Sequence, residues 1–162
     1  MTATARLLSN TRYTHLGNSH VPARPALGVV ILTCMDARID VFKLFGLRPG
    51  DAQVLRNAGG RVTEDVIRSL AISQALLGTE EVLVLHHTDC ALSGRDEDGI
   101  RSALQAATGH AAGFDVLAFA DDQDAVRQDV DLLRTSPDLP HRDHIRGFLY
   151  DIRRGAVDEV QD

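Results

Sequence analysis

Residues 27–38 have the sequence LGVVILTCMDAR, in which a run of strand-forming aliphatic residues ends at a cysteine. Residues 81–90, EVLVLHHTDC, repeat this arrangement, because His87 and Cys90 follow a second aliphatic run. Short, continuous apolar runs are typical of strands that a parallel sheet buries on both faces. The sequence therefore places Cys34, and the pair His87 and Cys90, at the carboxyl ends of two buried strands.

Helical patterns separate the strands along the chain. Capping residues, apolar spacing and Gly or Pro stops predict strands over 27–33, 52–56 and 81–86, helices over 39–45, 63–78, 97–108 and 121–136, a short extended stretch over 114–120, and a terminal hairpin of 146–152 and 156–160. We predict an α/β fold, with a mainly parallel sheet, helices on both faces and an antiparallel edge strand. The strand order is 2-1-3-4, because Cys34 reaches His87 only if strands one and three are neighbours.

Cys34 and Cys90 are the only cysteines of the chain, and His87 is spaced to meet them. Ligands of open parallel sheets bind beyond the carboxyl strand ends, where the strand order reverses. Two thiolates and an imidazole suit zinc, and three protein ligands leave a fourth position for water or substrate, as in catalytic zinc sites. The alternatives are two unconnected core cysteines or, with less support, a disulfide. We predict one zinc ion per chain and metal-assisted hydration or hydrolysis.

Asp36 lies two residues after the first predicted ligand. Its carboxylate can reach either the fourth zinc position or the guanidinium of Arg38, so it would close or open the site. In the open state, zinc-bound hydroxide would attack an electrophilic carbon such as that of carbon dioxide, with Asp36 accepting its hydrogen bond. The alternative interpretation of Asp36 and Arg38 is an exposed ion pair of little energetic value.

Charge and composition indicate which partners to expect. The chain has 17 basic and 23 acidic residues and a net charge of −6, which argues against nucleic acid or an anionic membrane as partner. It shows no secretory signal and no apolar stretch near the roughly 20 residues of a membrane span. We expect a cytoplasmic protein, with an N-terminal arm over 1–25 and a single α/β zinc-binding domain over 26–162.

The two motifs together, Cys-x-Asp-x-Arg at 34–38 and His-x-x-Cys at 87–90, resemble the signature of the β-class carbonic anhydrases. The segments 56–60, RNAGG, and 69–71, SLA, are also similar to that family, most closely to its short, minimal bacterial members. The resemblance covers about residues 26–160.

This resemblance implies zinc on Cys34, His87 and Cys90, a working pair of Asp36 and Arg38, and reversible hydration of carbon dioxide to bicarbonate and a proton. It also implies a homodimer or a dimer of dimers, with the substrate cleft at the subunit interface and the arm over the neighbour. The same scaffold could hydrolyse carbonyl sulfide or carbon disulfide instead. A third hypothesis is a non-catalytic zinc-binding sensor dimer in which Asp36 stays on the metal.

Two residues depart from the family pattern. Ala91 follows the last ligand, where glycine is usual, and its methyl group could narrow the backbone's approach to the metal segment. His86 stands before the histidine ligand, where glycine is frequent, and we expect a strand-end histidine with a local hydrogen bond rather than a ligand.

Three further positions are candidates for the substrate cleft. Asn57, Gly59 and Gly60 would let the backbone approach the zinc, although a plain strand-to-helix turn explains the same glycines. For Asp89 we expect a cap on the turn that carries Cys90.

The predicted helix over 63–78 carries apolar residues around more than one face. These residues are Val66, Ile67, Leu70, Ile72, Leu76 and Leu77. Either a partner subunit covers the second face, or the helix lies deep between the sheet and other helices of its own chain.

Overall fold

The computed structural model describes residues 2–11 and 20–161. Its helices are α1 (Ala3–Asn10), α2 (Val41–Phe45), α3 (Glu64–Leu77), α4 (Glu97–Thr108) and α5 (Asp122–Thr135). Its strands are β1 (Val29–Cys34), β2 (Gln53–Asn57), β3 (Glu81–His87), β4 (Ile145–Asp151) and β5 (Ala156–Val160). The predicted elements are confirmed within a few residues, except that 114–120 forms only an isolated bridge between Phe119 and Ser93.

The strands of the described chain form one sheet in the order β2-β1-β3-β4-β5. The pairs β2·β1, β1·β3 and β3·β4 are parallel, and β5 adds an antiparallel edge. The predicted order is confirmed. Its physical reason is that helical crossovers allow parallel neighbours, whereas the tight turn between Asp151 and Ala156 allows only an antiparallel one.

Side chains that alternate along the strands fill both sides of the sheet. Val30 and Leu32 of β1 pack on one side with residues of α3 and α5. Ile31 packs on the other side with Val41 of α2 and Phe119. Helices therefore cover both faces, as predicted, and both strand ends that carry the cysteine and histidine motifs open at the same edge.

Helix α3 begins and ends where the sequence predicts. The Thr63 side chain accepts a hydrogen bond from the Val66 N–H at the start, and Gly78 ends the helix in the left-handed conformation. Leu70 is fully buried against the sheet, but Ile72 and Leu76 are 42% and 77% exposed. The helices of the described residues therefore do not cover the second face of α3.

Helix α1 lies at the start of the predicted arm, and none of its residues is buried. Leu7 and Leu8 are exposed on it. Residues 12–19, which include Tyr13 of the predicted arm, fall outside the described residues. Within 2–11 and 20–161, no helix combines the length and apolarity needed to cross a bilayer.

Candidate metal centre

The ends of two neighbouring strands bring the predicted ligands together. Cys34 is the last residue of β1, and His87 is the last of β3, which pairs with β1 in parallel. One ligand atom from each of Cys34, His87 and Cys90 lies within 4.8 Å of the others, and all three residues are buried. The convergence expected from the strand order is present.

The hydrogen bonding of His87 leaves a nitrogen free for a metal. Its Nδ1 lies 3.0 Å from the carbonyl oxygen of Thr88, which can only accept, so Nδ1 carries the proton. Nε2 is buried and has no partner among the described residues. An unpaired buried nitrogen is costly unless it coordinates an ion. The donor set of two sulfurs and one imidazole nitrogen therefore fits zinc.

The two sulfurs share a proton unequally. The contact with Cys90 lowers the pKa of Cys34 to about 4, against the opposing effect of burial, and the neighbouring His87 ring lowers it further. The same sulfur–sulfur contact, together with burial, raises the pKa of Cys90. Burial disfavours charge on the His87 ring, but its contact with Cys34 outweighs this and raises the pKa of His87. Cys34 is thus already disposed to be a thiolate, the form that binds metal.

Arg38 holds Asp36 with two parallel hydrogen bonds. Its Nε lies 2.9 Å from Asp36 Oδ1 and its Nη2 lies 2.7 Å from Oδ2. The Arg38 N–H also donates to Oδ1 at 2.9 Å. These contacts hold the pKa of Asp36 well below its usual range. The carboxylate is therefore ionised and turned to Arg38, which corresponds to the open arrangement of the two that the sequence allows.

Asp89 has a different role from the predicted cap. Its carboxylate accepts from Arg38 Nη1 at 2.8 Å, and its carbonyl accepts from Nη2 at 2.9 Å. The left-handed backbone at Asp89, with φ of 60°, turns both groups toward the guanidinium. Arg38 thus links the Cys34 segment to the Cys90 segment.

Arg56 holds the loop that carries the first motif by hydrogen bonds to its backbone, a role that the motif pattern does not reveal. Its guanidinium donates to the carbonyl oxygens of Cys34, Asp36 and Ile39 at 3.0, 2.7 and 3.1 Å. Three carbonyls that point at one planar donor define the shape of the loop. The signal that could have identified Arg56 is its place at the end of a strand next to the cysteine strand.

The predicted cleft residues lie against the Cys34 backbone. Asn57 pairs with Cys34 across the sheet, and its carbonyl accepts from the Met35 N–H at 2.8 Å. Gly59 and Gly60 are buried in a 3-10 turn with φ of 76° and 71°. A Cβ on Gly60 would lie 2.9 Å from the Cys34 nitrogen. Glycine is therefore required for the turn to approach the metal segment.

The two departures from the family pattern have distinct surroundings. His86 bonds through Nε2 to Asp129 of α5 at 2.9 Å, so its partner is remote in sequence rather than local as predicted.

Ala91 is exposed and lines a groove of about 650 Å³ between its loop and α4, together with Leu92, Ile100 and Leu104. Its methyl group therefore faces an apolar groove.

Comparison with known proteins agrees with this geometry. A family model described as carbonic anhydrase matches residues 29–157. Beta-carbonic anhydrase 1 of Mycobacterium tuberculosis is 40% identical over 154 residues, which cover 95% of this chain and 94% of the relative. A carbon disulfide hydrolase of Acidithiobacillus thiooxidans is 30% identical over 147 residues, 78% of this chain and 74% of that protein.

A solved structure of similar length has the same fold. The carbonic anhydrase of Streptococcus mutans superposes with a TM-score of 0.92 at 43% identity, and the match covers 99% of both chains. Sequence similarity along nearly the whole chain thus coincides with a buried cluster of two sulfurs and an imidazole. The chain therefore belongs to the β-class carbonic anhydrase family, and its cofactor is zinc.

Proposed function

We propose that this protein catalyses the reversible hydration of carbon dioxide to bicarbonate and a proton, with zinc held by Cys34, His87 and Cys90. The observation that carries the proposal is the convergence of two sulfurs and a free imidazole nitrogen at one buried point. Asp36, held on Arg38, leaves the fourth ligand position to the reaction.

The proposed chemistry assigns separate tasks to the metal and to the protein. Bound zinc supplies Lewis acidity, which lowers the pKa of water from about 16 towards about 7. Asp36 is ionised and can only accept hydrogen bonds, so it orients the reacting water by accepting from it. Arg38 fixes the direction of that carboxylate, since two parallel bonds leave it little rotational freedom.

The proposed substrate cleft is made by backbone rather than by large side chains. The turn of Asn57, Gly59 and Gly60 lies beside Cys34, and its glycines let the backbone pack against the metal segment more closely than a side chain would allow. Carbon dioxide carries no charge and needs little polar recognition. Close approach to the metal segment is therefore the main requirement on this cleft.

Stopped-flow carbon dioxide hydration by the zinc-loaded protein between about pH 6 and 9 tests the proposal. We expect activity that increases with pH, is abolished with the zinc in Cys34→Ser, and falls about 100-fold or more in Asp36→Ala with zinc retained. Asp138→Ala, an exposed loop position, is the matched control and should keep wild-type rates. Full zinc occupancy with a solvent-level rate would refute the enzyme and favour the sensor hypothesis.

Hydrolysis of carbonyl sulfide or carbon disulfide is the second candidate. The observation that favours it is the 30% identity with a protein named carbon disulfide hydrolase. Those molecules are also linear and uncharged, so the same backbone cleft would admit them. Parallel assays with both sulfur compounds separate the candidates by their ratio of kcat/KM.

We also propose a cytoplasmic homodimer, or a dimer of dimers. The support for a second copy is the second face of α3, where Ile72 and Leu76 are exposed, and the unburied helix α1. A reducing compartment would keep Cys34 and Cys90 as metal ligands rather than a disulfide.

A further inference from the structure

A buried carboxylate that the proposed reaction does not use lies behind the metal centre. Asp129 of α5 has no exposed surface. Its Oδ1 accepts from the Val62 N–H at 3.1 Å, and its Oδ2 lies 2.9 Å from His86 Nε2 and 3.3 Å from Arg61 Nε. We call Asp129, His86, Arg61 and the Val62 N–H the Asp129 cluster.

The cluster compensates its own charge, and Arg61 Nε and Nη1 and His86 Nδ1 have no hydrogen-bond partner among the described residues. A buried carboxylate is tolerated only if a positive group and hydrogen-bond donors surround it. Arg61 supplies the charge and is only 6% exposed, and its guanidinium lies 5.3 Å from the centre of the Phe119 ring. The His86 ring lies 5.7 Å from the same ring. Phe119 therefore seals one side of the cluster.

The residues that bind Asp129 lie next to two parts of the metal centre. His86 immediately precedes His87, and the two side chains point to opposite faces of β3. Arg61 and Val62 immediately follow the turn whose Gly60 lies against the Cys34 backbone. One carboxylate thus ties the strand end that carries one ligand to the turn that supports another.

Metal binding is sensitive to small displacements of this kind. Zinc sites require ligand distances within about 0.2 Å of their normal values. Rotation of the β3 end or withdrawal of the turn would move the His87 nitrogen relative to the Cys34 sulfur. The Asp129 carboxylate contacts both segments, so either movement would break one of its contacts.

We propose that Asp129 is a positioning residue for zinc, acting through His86 on His87 and through Arg61 and Val62 on the turn behind Cys34. This inference rests on zinc binding, which the proposed function also requires. Asp129 does not touch the ligand atoms, so its effect reaches the metal only through the backbone of the two segments. The residues that hold metal ligands in place typically contribute about 10- to 100-fold to metal affinity.

Three variants separate positioning from a general loss of stability. Asp129→Asn keeps the shape and removes the charge. The double variant Arg61→Met with Asp129→Leu removes both charges, and such replacements of buried pairs are often neutral or stabilising for the fold. His86→Phe keeps an aromatic ring beside Phe119 and removes the bond to Asp129, with a slightly larger ring at a buried position. Asp131→Asn, exposed on the same helix, is the matched control.

The decisive measurement is the zinc dissociation constant of the folded variants, obtained by competition with a chromophoric chelator, beside the unfolding midpoint of the metal-free proteins. We expect about 10- to 100-fold weaker zinc binding in the double variant and in His86→Phe, even where the unfolding midpoint stays at or above that of the wild type. Cobalt-loaded samples should show altered thiolate absorption bands. Asp131→Asn should match the wild type in every readout.

Wild-type zinc affinity in the folded double variant, or in folded His86→Phe, would overturn the inference and leave the cluster a purely structural device. If Asp129→Asn alone does not fold, the zinc affinities of the double variant and of His86→Phe still test the inference. A wild-type chain that binds zinc but hydrates no carbon dioxide would refute the proposed function and leave this comparison intact.

Discussion

Gly60 is the residue at which backbone geometry and metal binding meet. Its φ of 71° favours glycine, and an added Cβ would lie 2.9 Å from the backbone of Cys34 and of Thr33. We expect Gly60→Ala to destabilise the metal-free protein by about 2 kcal/mol or more and to weaken zinc binding, because main-chain atoms must move apart. Urea unfolding and chelator competition measure the two effects.

Gly109 provides the control for that substitution. Its φ of 78° is also left-handed, but a Cβ added there would meet nothing within 4 Å among the described residues outside its own turn. Gly109→Ala should therefore show only the conformational cost of about 1 kcal/mol, with zinc affinity unchanged. Equal effects on zinc at both glycines would contradict the role given to Gly60.

Arg56 is the second residue with a predictable effect. Arg56→Met keeps much of the length of the side chain but removes the donors to the carbonyls of Cys34, Asp36 and Ile39. We expect a loss of about 1 to 3 kcal/mol in the free energy of unfolding and a lower kcat/KM, because the loop that carries Asp36 is no longer fixed. Arg48→Met, at an exposed position in the turn before β2, should change neither quantity.

The sequence predicts the site residues that local patterns mark, but not those that depend on contacts between distant parts of the chain. Cys34, His87 and Cys90 were predictable because each follows an aliphatic run and the strand order brings such ends together. The bond from His86 to Asp129 was not, because it joins residues that are 43 apart and leaves no periodic pattern. The prediction of Asp89 as a cap was wrong, since sequence shows neither its left-handed backbone nor the position of the Arg38 guanidinium.

At the scale of elements, the β4–β5 hairpin depends on ionised carboxylates. Asp151 accepts from the N–H groups of Arg153 and Arg154, and Glu159 accepts two bonds from Arg146. The Arg154 N–H lowers the pKa of Asp151, and the Arg146 side chain lowers the pKa of Glu159. A lowered folded-state pKa stabilises the fold above the unfolded-state pKa, and that stabilisation is lost as the pH falls through the folded-state value.

We therefore expect the hairpin to weaken as the pH falls below the ordinary pKa values of 4.5 for Glu and 3.8 for Asp. The double variant Asp151→Asn with Glu159→Gln should lose less stability than the wild type between about pH 6 and 3. Urea unfolding at several pH values measures this slope. Asp143→Asn, exposed on the loop before β4, should follow the wild-type slope, and a wild-type slope in the double variant would contradict the prediction.

The bounds of the elements followed from chemistry that is local in sequence. Thr63 and Gly78 delimit α3 through a cap and a left-handed stop, so both ends could be predicted. The stretch 114–120 was apolar enough to suggest a strand, yet only Phe119 forms a bridge. The Phe119 ring instead packs beside His86 and Arg61. This is a tertiary contact, which strand propensity does not predict.

At the scale of the whole molecule, the exposed face of α3 predicts an interface. Ile72 and Leu76 are large apolar side chains with no cover in the described part of their own chain. We expect Ile72→Glu with Leu76→Glu to yield a monomer of 17.6 kDa where the wild type sediments at twice that mass or more. Leu27→Glu, at an exposed leucine outside α3, should leave the assembly unchanged, whereas a wild-type monomer would disprove the proposed dimer.

The order of the strands also determines when a nascent chain can capture its metal. β1 pairs with β3 as well as with β2, so its cysteine has no complete set of native partners until residue 90 has left the ribosomal exit tunnel. Asp129 emerges later still, after both flanking segments have been made. We therefore expect an ion bound before α5 docks to be held less tightly than an ion in the complete fold, because the Asp129 cluster forms only when α5 packs on the sheet.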